Sequence, residues 1–169
     1  MIEMEDEHVL VALVEDEPGV MQRISGMFTR RHFNIDTITV GHSEKQGLSR
    51  MTITFKGDEK KAEQIVKQLN RIIEVVKVTR MESDSIKREL ALVKVHTPDE
   101  TSRNEVLQYS NIFRAKIVDV SKDSMIVEVT GDGSKIEAFI TLVSPLGIKE
   151  LALTGVTAMG RGRPKEKGR

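Results

Sequence analysis

The sequence predicts an α+β protein composed of two βαββαβ units in tandem. In each half of the chain, the spacing of apolar residues changes between the period of a strand and the period of a helix in this same order. One stretch of the first half also aligns without gaps with a stretch of the second. At 169 residues, with 38% hydrophobic and 31% charged residues, the chain has the composition of a soluble globular protein and the length of one medium domain or two small ones.

The first half opens with an apolar run at 9–14, which predicts a buried strand. A helix is expected to begin at Pro18, because proline fits the first helical position, where no N–H is needed. The apolar face of this helix follows the helical spacing and comprises Val20, Ile24, Met27 and Phe28.

Alternating apolar residues then predict strands at 35–40 and 51–55. Gly57-Asp58 marks the start of a second helix, and 72–78 is predicted as the last strand. The apolar face of the second helix comprises Ala62, Ile65, Val66 and Leu69. This order is the split-βαβ plan of ferredoxin-like folds, in which four antiparallel strands carry two helices on one face.

The second half repeats the plan. The stretch that begins at Met51 aligns with the one that begins at Met125, so that Gly-Asp, a helical Lys and the apolar positions coincide. Two strand–turn–helix units with similar caps would also resemble each other by chance, and the architecture is the same under either interpretation. The remaining elements of this half are predicted as strands at 90–95, 115–120 and 148–153 and a helix at 102–113.

We therefore expect two ferredoxin-like domains, at 1–80 and 90–160, joined by a polar linker at 81–89 and followed by a basic flexible tail at 161–169. Each domain has roughly 75 residues, a size at which a single core leaves little stability to spare. Because the second strand lies at a sheet edge in this plan, pairing there with another copy would give a homodimer or a higher homo-oligomer.

Composition excludes several classes of function. Lys and Arg total 26, as do Asp and Glu, so no net charge draws the chain to nucleic acid or to a membrane surface. Cysteine is absent, which excludes disulfides, thiolate metal sites and a cysteine nucleophile. The N-terminal residues are acidic and no apolar run reaches the length of a membrane span, so we expect a cytoplasmic protein without a membrane partner.

Motifs of catalysis and metal binding are also absent. The sequence contains no Gly-x-Ser-x-Gly, HExxH or P-loop pattern, and its four histidines show no ligand spacing. We therefore expect no catalytic residue and no metal site. The tail run Arg161-Gly162-Arg163-Pro164-Lys165 is similar to AT-hook peptides that bind narrow minor grooves, but a single copy in a neutral chain is more typical of a solvated end. No nucleic-acid partner is expected.

The start of the first helix is the most chemically suggestive place in the sequence. Amides of Gly19, Val20 and Met21 at a helix N-terminus would suit a small carboxylate. We expect the topology to place Asn34 near the same end of the sheet, while Asp16 would suit an ammonium group. Together these groups match the polar half of a free amino acid. Under the structural alternative, Asp16 or Glu17 is only a helix cap and Gly19 a packing residue.

A set of motif residues in both halves carries a resemblance to a known family; it comprises Glu15, Pro18-Gly19-Val20, Arg23, Ile24, Gly26, Phe28, Asn34-Ile35, 48–52, Arg88-Glu89-Leu90, 92–95, Arg103-Asn104, 112–114, 117–120, 133–136 and Thr154-Gly155. With these residues the chain resembles, over nearly its whole length, the small regulatory subunit of acetolactate synthase (acetohydroxyacid synthase), an ACT-domain family. The N-terminal domain would thus be an ACT domain.

The resemblance implies a noncatalytic partner of the large catalytic subunit of acetolactate synthase. Such a subunit raises the activity of that enzyme and confers feedback inhibition by valine or another branched-chain amino acid, in the synthesis of valine, leucine and isoleucine. Thiamine diphosphate, Mg²⁺ and FAD would bind the catalytic subunit only, so this chain would carry no cofactor. The alternative is a freestanding ACT-domain amino-acid sensor that controls another enzyme or, through the basic tail, a gene.

In the family, the effector lies at the interface of two ACT domains. Carried over by position, the implied effector-binding residues are Asp16, Gly19, Val20, Met21, Asn34 and Ile35. Many members have Asn where this chain has Asp16. A carboxylate there would favour the ammonium group of the effector and repel its carboxylate, which affects both affinity and effector choice.

Overall fold

The computed structural model describes residues 6–162 and divides the chain into two compact units. The first unit reaches Ile86 and takes up the chain again from Val156, and the second comprises Lys87–Gly155.

The first unit is a four-stranded antiparallel sheet in the order β2-β3-β1-β4, with two helices on one face. This strand order is that of the split-βαβ plan, so the predicted fold of this half is confirmed. Its elements are β1 Asp6–Glu15, α1 Val20–Arg30, β2 Thr37–His42, β3 Leu48–Gly57, α2 Glu59–Leu69 and β4 Val75–Arg80.

The second unit has the same topology, with sheet order β6-β7-β5-β8. The α+β prediction of two ferredoxin-like domains is thereby confirmed. The elements are β5 Ile86–His96, α3 Glu100–Ile112, β6 Lys116–Val120, β7 Ser124–Gly131, α4 Gly133–Val143, a 3-10 turn at Ser144–Leu146 and β8 Ile148–Leu153; a short strand, β9 Thr157–Met159, follows in the part of the chain that belongs to the first unit.

Each core lies between a sheet and its two helices. All four residues predicted for the inner face of α1 are buried, and in α2 only Val66 is partly exposed while its three companions are fully buried. The largest buried side chains are Phe28 and Phe55 in the first core and Phe139 in the second. Apolar burial of this kind is the main stabilising contribution to both units.

The last strand of the first unit begins three residues later than predicted. Residues 70–74, the α2–β4 turn, instead close the end of α2, where the amide of Ile72 donates to the carbonyl of Leu69 at 3.1 Å and that of Val75 to Ile72 at 3.0 Å. Ile73 is 92% exposed in this turn. The apolar pair Ile72-Ile73 mimics a strand in sequence, although only Ile72 packs against the core.

The two aligned segments share a specific structural device. Lys61 and Lys135, at matched positions of α2 and α4, donate through Nζ to the carbonyls of Lys56 at 2.7 Å and Thr130 at 2.8 Å. Each lysine stem lies across a glycine, and a Cβ on Gly57 or Gly131 would stand 2.3 or 2.5 Å from the lysine Cδ. A side chain at either glycine would therefore displace the lysine that folds back over the strand end. The repeat thus extends beyond generic helix capping.

Because Lys135 lies across Gly131, substitutions at these two residues should have coupled effects on stability. We expect Gly131→Ala to destabilise the second unit by about 0.5–1 kcal/mol, because the new Cβ displaces Lys135 and breaks its bond to Thr130. In a Lys135→Ala background the same change should have little effect. Urea unfolding followed by the fluorescence of Tyr109 reports on this unit, since Tyr109 packs against its core and is the one tyrosine of a chain without tryptophan. Equal effects in both backgrounds would contradict the coupling.

The C-terminal boundary of the second unit differs from the domain predicted at 90–160. Val156 and Ala158 are buried against Val9 and Val11, on the face of the first sheet opposite its helices. The hydroxyl of Thr39 donates to the carbonyl of Val156 at 2.9 Å. Residues 156–162 therefore belong to the first unit, because this sheet presents a second apolar surface that short apolar residues cover.

The linker predicted at 81–89 is shorter in the structure, and only the start of the tail predicted at 161–169 lies within the described residues. β5 starts at Ile86, so the strand takes up the end of the linker predicted at 81–89. Arg161, the first residue of the predicted tail, donates through Nε to the carbonyl of Asp84 at 2.7 Å. Residues 163–169, and with them most of the predicted flexible tail, lie outside the described residues.

Candidate functional site

Residues 16–19, the β1–α1 turn, connect the first strand to the first helix. The amide of Val20 donates to the carbonyl of Glu17 at 3.4 Å, and Gly19 has φ 91° and ψ −11°. Proline followed by a glycine with positive φ is the signature of a type II β-turn. The helix therefore begins at Val20 with Gly19 as its N-cap, and the expected start at Pro18 is wrong, because proline here forms the turn before the helix.

The N-terminus of α1 has no side-chain cap. The first helical hydrogen bond runs from the amide of Arg23 to the carbonyl of Gly19 at 3.0 Å, and within residues 6–162 no backbone acceptor faces the amides of Gly19, Met21 or Gln22. These donors stand at the positive end of the helix dipole. The amide of Val20 is used by the turn, which removes one of the three donors that the sequence suggested.

Helices α2, α3 and α4 are capped by aspartate. The carboxylates of Asp58, Asp99 and Asp132 each accept the amide three residues later, at 2.7, 2.8 and 2.9 Å. The backbone N–H of Ser102 holds the pKa of Asp99 below its usual value, and that of Lys135 does the same for the pKa of Asp132. Because α1 lacks such a carboxylate, its donors are available to a carboxylate from outside the chain.

Asp16 follows directly after β1 and does not cap α1. Its amide donates to the carbonyl of Gly47 at 2.9 Å, and its carboxylate lies 3.3 Å from Nδ1 of His42 at the end of β2. Side-chain exposures of 48% for Asp16 and 87% for His42 leave both groups accessible to a ligand or a partner chain.

The next two predicted residues, Val20 and Met21, open α1 and differ in exposure. Val20 is buried in the first core with 3% exposure, whereas Met21 is 42% exposed on the surface of α1. Val20 thus anchors the helix while Met21 offers an apolar surface beside the free amides. Residues 16–19 are all exposed. The turn and the free amides of Gly19 and Met21 therefore form an open surface site for a carboxylate, the carboxylate seat, within a single chain.

Arg23 was not among the residues predicted for this site. Its guanidinium forms an ion pair through Nη1 with Glu74, and its Nη2 lies 3.9 Å from the position of a Cβ on Gly19. The position of Arg23, one helical turn after Gly19, is visible in the sequence, because residues four apart share one face of a helix. Its partner Glu74 lies 51 residues along the chain and carries no local signal.

Asn34 and Ile35 lie at the other end of the sheet, and the expectation that Asn34 sits near Gly19 within one chain is wrong. Ser49 of β3 pairs with His42, next to the β1–α1 turn, whereas Thr54 pairs with Thr37 at the start of β2. Five residues of strand separate these levels by roughly 17 Å. Since β1 and β2 run parallel on either side of β3, α1 carries the chain back along the whole sheet. Asn34 is exposed, and Ile35 packs against the first core.

Residues 6–162 contain no group of three His, Asp or Glu side chains that could hold a metal ion. Over the same range, no helix is long and apolar enough to cross a membrane.

Comparison with known families gives two matches that together span most of the chain. Residues 10–77 match a family model described as the AHAS small subunit-like ACT domain. Residues 88–162 match one described as the small subunit of acetolactate synthase. The first range contains the β1–α1 turn, β2 and the α2–β4 turn.

Individual relatives agree with these matches. A probable acetolactate synthase small subunit from Methanothermobacter thermautotrophicus is 59% identical over 164 residues, covering 96% of this chain and 98% of the relative. The acetolactate synthase small subunit of Bacillus subtilis is 49% identical over 156 residues, covering 91% and 90%. A crystal structure of the small subunit from Thermotoga maritima superposes with a TM-score of 0.88 at 46% identity, covering 94% of this chain and 99% of that one.

Proposed function

The chain belongs to the acetolactate synthase small-subunit family and carries its ACT domain, and from this premise we propose that it activates the large catalytic subunit and confers feedback inhibition by valine or another branched-chain amino acid. The catalytic subunit would hold thiamine diphosphate, Mg²⁺ and FAD and perform the carboligation. This chain would contribute no catalytic residue and no cofactor. Its role is regulatory, in the biosynthesis of valine, leucine and isoleucine.

The uncapped start of α1 is the observation that carries the effector proposal. Free amides at Gly19 and Met21 are donors suited to the carboxylate of an amino acid. The exposed carboxylate of Asp16 is available to the ammonium group, and the exposed side chain of Met21 to an aliphatic side chain. A branched-chain amino acid presents these three features together.

We propose that two chains share each effector site. Strand β2 is at an edge of its sheet, with Val40 48% exposed. Antiparallel pairing of this edge with the same edge of a second chain sets the start of one β2 beside the end of the other. Asn34 and Ile35 of one chain then approach the β1–α1 turn of its partner, although the two places are far apart within one chain. The arrangement predicts a homodimer as the smallest complete unit.

Effector control then follows from differential binding. Valine that bridges two ACT domains favours the relative placement in which both halves of the site fit it. Inhibition results only if the catalytic subunit distinguishes that placement from others, because a ligand with equal affinity for both states shifts nothing.

Calorimetric titration of the full chain tests the proposal. We expect valine, leucine or isoleucine to bind, and valinamide, which has the same shape without the carboxylate, to bind at least about tenfold more weakly because its neutral carbonyl oxygen accepts from the free amides without the negative charge that strengthens these hydrogen bonds. Absence of heat with all three amino acids would contradict the effector role.

Reconstitution with the catalytic subunit separates the two kinds of regulator. We expect the small subunit to co-purify with it, to raise its turnover and to make that turnover sensitive to the bound amino acid. Amino-acid binding without co-purification would support the freestanding sensor instead. Salt-sensitive retention on DNA that is lost on deleting residues 161–169 would support control of a gene.

A further inference from the structure

We propose that Arg23 and Glu74 form an exchangeable ion pair, in which the effector carboxylate takes Arg23 from Glu74 and so releases the α2–β4 turn. The inference rests on the proposed effector function and adds to it a recognition residue and a route by which occupancy changes the rest of the ACT domain. Two observations carry it, the position of the guanidinium and the contacts of Glu74.

The guanidinium of Arg23 lies over the β1–α1 turn. Nη2 is 3.9 Å from the place of a Cβ on Gly19, beside the free amides, while Nη1 donates to Oε1 of Glu74. The side chain is 54% exposed, so a dissolved anion can reach it. Because a guanidinium has five donors in a planar fork, it can bind a carboxylate at the seat with the edge that faces Gly19.

Glu74 links the seat to the last strand of the sheet. Its side chain is only 15% exposed, and its carbonyl accepts the amide of Glu15 at 2.9 Å. The next residue, Val75, pairs with Val14 at the point where the register between β1 and β4 shifts. The α2–β4 turn is thus attached to the end of β1 by its backbone and to α1 by the Arg23 ion pair.

A carboxylate bound in the seat weakens the Arg23–Glu74 ion pair in two ways. It competes for the guanidinium, and its charge repels the nearby Glu74. A carboxylate with little exposure that loses its cation is destabilised, so Glu74 moves toward water and shifts the start of β4. Effector binding would thereby alter the strand from which the chain continues to the second unit.

If the Arg23–Glu74 ion pair is purely structural, removing Glu74 should have the opposite effect on effector binding. If Glu74 only positions Arg23, its removal weakens effector binding or leaves it unchanged. If Glu74 competes with the effector for Arg23, removing its charge strengthens effector binding. The same change also removes the charged side chain whose movement would shift the start of β4. Tighter binding together with a smaller maximal inhibition is therefore the signature of exchange.

Valine titrations and inhibition curves on the full chain with the catalytic subunit test this. We expect Glu74→Gln to raise valine affinity by roughly threefold to tenfold and to lower maximal inhibition. Arg23→Gln should reduce affinity at least about tenfold, and Arg23→Lys, which keeps the charge without the fork, should fall between Arg23→Gln and wild type. Glu63→Gln is the matched control, since it breaks an exposed ion pair with Lys67 on α2 and should behave as wild type.

The outcomes separate the proposed ion-pair exchange from the proposed effector-binding function. Valine affinity that is unchanged or reduced by Glu74→Gln, or unchanged by Arg23→Gln, overturns the exchange while wild-type binding keeps the effector role intact. Failure of wild-type protein to bind valine, leucine or isoleucine overturns both. Thermal melting of each variant checks that the fold is retained, and Arg23→Lys remains informative if Arg23→Gln unfolds.

Discussion

Gly19→Asp is expected to abolish valine binding and feedback inhibition while the chain still assembles with the catalytic subunit and activates it. Gly19 has φ 91°, a backbone conformation that Asp and Asn adopt more readily than other residues with a Cβ. From this position an Asp carboxylate reaches the free amides of α1, and Arg23 lies 3.9 Å from its Cβ. The side chain would therefore cap the helix and occupy the seat of the effector carboxylate.

The effect should be large because the competing carboxylate is tethered. It is present in every molecule and also repels the carboxylate of the effector, so valine affinity should fall by at least about a hundredfold. Calorimetry on the variant and valine inhibition of the reconstituted enzyme measure the two consequences. Activation in the absence of valine is the internal control for folding and assembly.

Two substitutions at the same position isolate the charge. Gly19→Asn has nearly the same shape without the negative charge; its amide oxygen can also accept from the free amides, so it should weaken valine binding, but less than Asp does. Gly19→Ala adds only a methyl group in a conformation that favours glycine, which costs about 1 kcal/mol of stability. The glycine would be a packing residue, and the effector seat would lie elsewhere, if all three variants kept the valine sensitivity of wild type.

The sequence was sufficient where structure depends on local periodicity. The apolar residues assigned to α1 and α2 form the core faces of those helices, and both halves have the predicted strand order. The gap-free alignment of 51 with 125 marks a real repeat, since α2 and α4 share the Asp cap and the folded-back lysine. Period, caps and turns are encoded by residues close together in the chain.

The sequence was insufficient where contacts join distant residues. Nothing local tells that Val156 and Ala158 cover Val9 and Val11, or that Glu74 holds Arg23. The chemistry of Asn34 suits the carboxylate seat and so suggests the wrong end of the sheet, although the parallel course of β1 and β2 already assigns Asn34 to the other end. Pro18 is a local case, since proline suits both the first position of a helix and the second position of a type II turn.

The separation of Asn34 from Gly19 leads to a decisive prediction about mixed dimers. If each site combines the β1–α1 turn of one chain with Asn34 of the other, dimers of Gly19→Asp alone or of Asn34→Ala alone contain no intact site. A heterodimer of the two variants contains one site with both mutations and one intact site. Purified with a different tag on each chain, it should bind valine at about half the stoichiometry of wild type and near wild-type affinity.

A site within a single chain would leave valine binding by the Asn34→Ala homodimer intact, because Asn34 lies at the other end of the sheet from the β1–α1 turn of its own chain. Loss of binding in both homodimers, together with its return in the heterodimer, therefore distinguishes shared from separate sites without reference to inhibition or to the catalytic subunit. A heterodimer of Gly19→Asp with wild type sets the upper reference, since it also retains one intact site. Recovery in the mixed dimer would mean that the roughly 17 Å between the two halves of the site in one chain is bridged by assembly, which makes dimerisation a condition of effector binding.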